Sequence, residues 1–157
     1  MKFLRFLDDN AERICLVALL GTMSVVIGFQ VVMRYAFQAS LSWSEELARY
    51  LFIWMIYIGI SYGVKLDRHI KVDAFLMLLP VAWRHYVKIG ANLLFLGFAV
   101  MIIYQAFGVR GMIAELGQES PAIGIPLQWV YTAVPAGFSL VIVRLVQSLI
   151  RQIKREG

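Results

Sequence analysis

Ser42–Asp73 reads SWSEELARYLFIWMIYIGISYGVKLDRHIKVD. It opens on a polar turn with a helix-start signal: Ser42 stands at an N-cap position, and Glu45, three residues on, completes an S-x-x-E capping box. Glu45 and Glu46 fall in the first turn, where the helix macrodipole favours negative charge. Glu45 also precedes Arg49 by four residues, the order that favours an ion pair. Tyr50–Val64 carries no charge, and Lys65, Asp67, Arg68, His69 and Lys71 follow at once. A run entered through acids and a Trp, and left through a basic cluster, predicts a transmembrane helix with one end in each compartment.

The composition agrees. Of 157 residues 61% are hydrophobic, and the mean hydropathy is +0.73, above the roughly half-apolar content of soluble domains. The excess is gathered into long uncharged runs, so the solvent is lipid. A net charge of +5 is of the sign that nucleic-acid binders carry, but the Lys and Arg residues flank apolar runs, as membrane-flanking cations do. No nucleic-acid partner is expected. Cys15 is the single cysteine, which rules out an internal disulfide or a thiolate metal cluster and suits a small apolar side chain.

Ahead of the opening stretch, Met1–Arg13 is charged and weakly amphipathic, which predicts a turn or two at the bilayer surface. Ile14–Met33 is then an uncharged run of about 20 residues, the length a hydrocarbon core requires. It is too long for a signal-peptide core, and no A-x-A site follows before Arg34, so it is expected to stay as span one. In span two, Gly59, Ser61 and Gly63 offer places where a neighbouring helix comes close.

Lys65–Lys88 is basic and holds a short apolar segment, Ala74–Leu79, ended by Pro80. An interfacial helix is expected over about 72–79, with Trp83 and Tyr86 anchoring the entry to span three. That span, about 81–110, measures about 45 Å at 1.5 Å per residue and should tilt or protrude. Gly111–Pro126 is a turn-rich loop. Pro126 is placed to start span four, which extends to about Ile150 and contains Pro135, where a kink is expected because no N–H reaches Tyr131. Thr132 is placed to satisfy part of the backbone freed there. The fold class is all-α: one membrane domain over 1–157, with spans at about 14–34, 43–65, 81–110 and 126–150 and a short interfacial helix between spans two and three.

Lys and Arg set the orientation. Twelve lie on the side of the two termini and the Lys65–Lys88 loop, against Arg34, Arg49 and Arg110 on the other. Both termini are therefore expected in the cytoplasm, with the Ser42 turn and the Gly111–Pro126 loop outside.

Catalytic motifs are absent: there is no G-x-S-x-G, no H-E-x-x-H and no Gly-rich phosphate loop. No cofactor is expected. His69 and His85 share one loop, whereas haem between helices needs facing histidines at membrane depth. No span carries a mid-membrane acid of the kind that proton coupling in a small exporter needs. The charges nearest lipid then carry the interest. Trp43, Glu45, Glu46 and Arg49 read equally as a capped helix with one ion pair or as a contact with another subunit. Arg144 reads as a snorkelling side chain near a helix end.

Three segments resemble one family: SLSWSEELARYLFIWMIYIGISYGV at 40–64, RHIKVDAF and LP within Arg68–Pro80, and SPAIGIP with WVYTAVPAGF within Ser120–Phe138. In order and in register with the spans, they are similar to the small membrane (Q) subunit of tripartite ATP-independent periplasmic (TRAP) transporters. The resemblance implies four spans with both ends inside, and a scaffold paired with a much larger membrane (M) subunit. It also implies a sodium gradient as driving force and a periplasmic solute-binding (P) protein that delivers organic acids such as C4-dicarboxylates, sialic acid or sugar acids. Solute and sodium are then expected on the large subunit, and since this chain ends after span four, that subunit is expected to be a separate polypeptide. Trp43, Glu45, Glu46 and Arg49 become candidate partner contacts on the periplasmic side. Arg68, Lys71, Trp83 and Arg84 become candidates for phospholipid or interface contact. Two rival expectations are a membrane anchor of a redox complex, which would use His69 and His85, and a self-sufficient homodimeric transporter.

Overall fold

The computed structural model describes the backbone of residues 2–66 and 81–154 and the side chains of 10–66 and 86–150. The interfacial helix expected over 72–79 lies outside the described residues, as do Arg68 and Lys71. The described chain is helical, with one isolated bridge between Glu119 and Pro126. Its helices are α1 (Lys2–Ala36), α2 (Ser42–Lys65), α3 (Val81–Glu115), α4 (Gln128–Tyr131) and α5 (Ala133–Lys154). Four segments are long and apolar enough to cross a membrane: Asn10–Ala36, Ser42–Lys65, Tyr86–Glu115 and Gln128–Ile150.

The N-terminal residues continue into span one as a single helix of 35 residues, with no separate surface turn. Nothing between Lys2 and Arg13 is a Gly or Pro that would break it. It ends where Gln38 adopts the left-handed φ of 52° and the Ala39 N–H reaches back six residues to the Met33 carbonyl at 3.1 Å, closing the last turn. The capping box predicted at Ser42 does not form. Leu41 occupies the cap in extended backbone without a side-chain hydrogen bond, and Ser42 is already helical. Ser44 Oγ instead donates to the Leu41 carbonyl at 2.7 Å.

α3 runs on to Glu115, so Gly111 is helical and the loop starts at Leu116. Gly117, at φ 58°, ends that helix. The loop then closes on itself through Leu127 N–H to the Gln118 carbonyl, Ser120 N–H to Ile125 and Gly124 N–H to Ser120, each at 2.9 Å. Gly124 sits at φ 75° with open space around it, so a side chain there meets only a backbone cost. Gly124→Ala is expected to lower stability by about 1–2 kcal/mol, and Gly124→Asn by less, because Asn tolerates the left-handed region. Thermal unfolding of the detergent-solubilised protein reads both.

Helix packing follows the order α1, α2, α5, α3, with the short α4 resting on α3, α5 and α2. Among the described residues α1 makes no packed contact with α3, so the helices form an open row, not a closed bundle. The core lies where α2, α3 and α5 meet. Val64, Ala99, Phe138, Val141 and Leu145 are buried there, with Tyr57, Phe95, Ile102 and Ile103 packed around them. Phe138 is wedged between Tyr57 (ring centroids 6.1 Å apart) and Phe98 (6.2 Å, edge-on). The tightest approach is not at the glycines of span two. A Cβ on Gly63 would meet nothing, and one on Gly59 would touch Leu16 at an ordinary 3.9 Å. A Cβ on Gly137 would lie 2.5 Å from Tyr57 Cβ and 2.9 Å from its carbonyl oxygen. α1 is the edge helix, and its one buried side chain among the described residues is Glu12.

Candidate functional site

At the Ser42 end of the row the two acids take different partners. Glu46 and Tyr50, four residues apart, share a helix face, and the Tyr50 hydroxyl donates to Glu46 Oε1 at 2.5 Å. Oε2 of the same carboxylate accepts from the Ala122 N–H at 2.9 Å. This joins α2 to the 116–127 loop and leaves Glu46 only 9% exposed. Glu45 points the other way and accepts from Gln30 Nε2 of α1 at 2.6 Å. The expected Glu45–Arg49 pair is not made: among the described residues Arg49 has no ion-pair partner. Trp43 is 38% exposed beside them.

Between α2 and the loop lies a cleft of about 540 Å³ with Glu46, Arg49 and Tyr50 at its polar end. Its walls are apolar, from Ile53, Ile56, Leu127, Val130 and Val134. A second hollow of about 340 Å³ shares Glu46, Arg49 and Pro121 and opens past Ser42 and Glu45. Arg110 on α3 donates to Thr132 Oγ1 at 3.0 Å. That hydroxyl donates in turn to the Gln128 carbonyl at 2.7 Å, so Thr132 serves the carbonyl of its own preceding turn and Arg110, not the backbone freed by Pro135. The helix of the fourth span is interrupted at Thr132, and Pro135 falls in the first turn of α5, where a missing N–H breaks no bond within α5. Pro126 pairs with Glu119 ahead of the helix and does not begin it.

The opposite end holds a charged cluster that local sequence reading misses. Glu12, 4% exposed, accepts at Oε1 from Arg144 Nε (2.8 Å) and Ser61 Oγ (2.8 Å). Its Oε2 lies 3.4 Å from Lys65 Nζ, an ion pair without hydrogen-bond geometry. Arg144 is 7% exposed and also donates to Gln147 Oε1 at 2.7 Å. Arg144 therefore does not snorkel to a water interface as expected. A carboxylate from the edge helix gives it a better partner within reach, and burying both groups together avoids an unpaired charge in the packed interior. The available signal was an acid two residues ahead of one span and an Arg near the end of another, both assigned to one side.

Trp83 and Arg84 lie in the first turn of α3, with side chains outside the described residues. His69 and His85 are likewise outside them. Among the described residues no group of three His, Cys, Asp or Glu side chains is arranged to hold a metal ion. The two ends tie helices together by charge and hydrogen bonds, and neither places a nucleophile beside a base.

Residues 23–155 match the family described as the DctQ component of tripartite ATP-independent periplasmic transporters. The chain is 34% identical over 133 residues to a TRAP transporter small permease protein of Haemophilus influenzae, covering 85% of this chain and 79% of that protein. It is 27% identical over 157 residues to the sialic acid TRAP transporter small permease protein SiaQ of Vibrio cholerae, covering 98% and 88%. It is also 32% identical over 157 residues to the isethionate TRAP transporter permease protein DctMQ of Oleidesulfovibrio alaskensis. That match takes in 96% of this chain but spans only 25% of the relative's length.

Proposed function

Since this chain belongs to the DctQ component family of tripartite ATP-independent periplasmic transporters, as a small permease subunit and not an enzyme, we propose that it is the static membrane scaffold of a sodium-driven organic-acid importer. The observation that carries this reading is where its charges lie. Among the described residues the buried charged side chains, Glu12, Glu46 and Arg144, all sit toward helix ends, and the core cluster between them is aliphatic and aromatic. Ion or solute binding at mid-membrane depth calls for polar groups there, so solute and sodium bind a larger membrane subunit on another chain. The DctMQ relative, four times the length matched here, supports such a partner. The open helix row supports it too, because an unclosed row leaves long apolar faces for a second protein to cover.

In this reading the chain sits in the bacterial inner membrane as one membrane unit, with both termini cytoplasmic by the Lys and Arg asymmetry. The Ser42 turn and the 116–127 loop face the periplasm, where the solute-binding protein docks near Trp43, Glu45, Glu46 and Arg49. Phospholipid headgroups meet Arg68, Lys71, Trp83 and Arg84 on the inner side, and Arg49 at the mouth of the outer cleft. The solute class rests on relatives named for isethionate and sialic acid, both organic acids. The test is co-purification: the tagged chain, expressed with its neighbouring genes and extracted in mild detergent, is expected to bring down a large multi-span protein in equal amount. A lone chain or a homodimer would overturn the scaffold reading.

A further inference from the structure

We infer that Glu46 is a positioning residue for the binding-protein dock: it holds the tip of the 116–127 loop in one shape and does not itself touch the partner. The inference rests on the reading that the Ser42 end receives the periplasmic protein. Glu46 is 9% exposed, with one oxygen committed to Tyr50 and the other to the Ala122 N–H. A carboxylate so enclosed has no face left for a docking protein. The tip has. Pro121, Ala122 and Ile125 are exposed around Gly124.

Internal hydrogen bonds close the loop into a hairpin-like turn, with Ser120 Oγ also accepting from Ile123 N–H at 3.2 Å. The turn is tied to α2 through the Glu46 carboxylate, which accepts from the Ala122 N–H and also meets Ser120 and Ile123. The bond from Ala122 is charge-assisted, hence stronger than a neutral surface bond. A loop ordered in advance spares the encounter the entropy of ordering it. A loop released from α2 would still dock, but at a higher concentration of partner. Glu45 cannot substitute, because its carboxylate is drawn toward Gln30 of α1.

The experiment uses the whole transporter in vesicles and titrates transport against its binding protein, while hydrogen exchange follows the amides of 119–125. In Glu46→Ala those amides are expected to exchange about tenfold faster, the loss of one charge-assisted bond. The half-saturating concentration of binding protein should rise about five- to tenfold, with the maximal rate per folded complex unchanged. Glu46→Gln, whose amide oxygen still accepts from Ala122, should recover most of both. Unchanged exchange in Glu46→Ala would overturn the inference, as would faster exchange with an unmoved half-saturation. Pro121→Asp separates the two readings. If it raises half-saturation while Glu46→Ala does not, Glu46 loses its role and the dock stands. If neither moves it, the docking reading itself falls.

Discussion

Glu12→Gln is expected to destabilise the protein by about 3–5 kcal/mol, the cost of breaking a buried ion pair by removing one of its partners. The substitution removes the anion that Arg144 and Lys65 both face. Their fates differ. Lys65 is 15% exposed at the end of α2 and can swing its ammonium outward on a flexible stem. Arg144 is enclosed and has no such exit. The loss should appear as a lower unfolding midpoint in detergent and a lower yield of folded protein. The double variant Glu12→Leu with Arg144→Leu should recover most of it, since replacing both charges with apolar groups of adequate size is often neutral. Arg144→Leu alone should cost less than Glu12→Gln, because Glu12 keeps Ser61 and Lys65. Additive single and double effects would show the groups to be uncoupled and this account wrong. Detachment of α1 is the expected structural consequence, since Glu12 is the one side chain that edge helix buries among the described residues. A second polar tie of that helix, Gln30 to Glu45, lies at the far end and is exposed.

Gly137→Leu should be worse still for the α2–α5 contact, and Gly137→Ala already costly at about 1–3 kcal/mol. A first methyl would sit 2.5 Å from Tyr57 Cβ and 3.0 Å from its carbonyl carbon. These are backbone-fixed atoms, so no rotamer change relieves the clash and α5 must move off α2. Movement would also open the stack in which Phe138 meets Tyr57 and Phe98. The diagnostic feature is failed rescue: Tyr57→Ala keeps the Cβ and the carbonyl, so Gly137→Ala with Tyr57→Ala should be no more stable than Gly137→Ala alone. Recovery in that double variant would place the obstruction in the Tyr57 ring. Thermal melts of the four proteins decide between them.

The helices themselves were legible because lipid imposes a local rule. A spanning backbone must satisfy its own hydrogen bonds, so each span announces itself as an uncharged run of sufficient length. The three motif segments likewise pointed to the family to which the chain belongs. Helix ends were read less well, since they depend on competition between partners. The capping box at Ser42 was a sound local pattern, but Glu45 found Gln30 on another helix and Leu41 took the cap. Glu46 read as a first-turn acid, either part of a capped helix or a subunit contact, until the loop folded back and gave it Ala122.

The sequence alone thus determined the number of spans, the absence of catalytic motifs and the resemblance that led to the family. Each is a property of a contiguous stretch. Only the tertiary structure decided that the helices lie in an open row, that Glu12 meets Arg144 across 132 positions, and that Gly137, not Gly59 or Gly63, admits the closest neighbour. These outcomes depend on how far each helix is rotated about its axis. That rotation is set by all the packed faces at once and is written in no single segment.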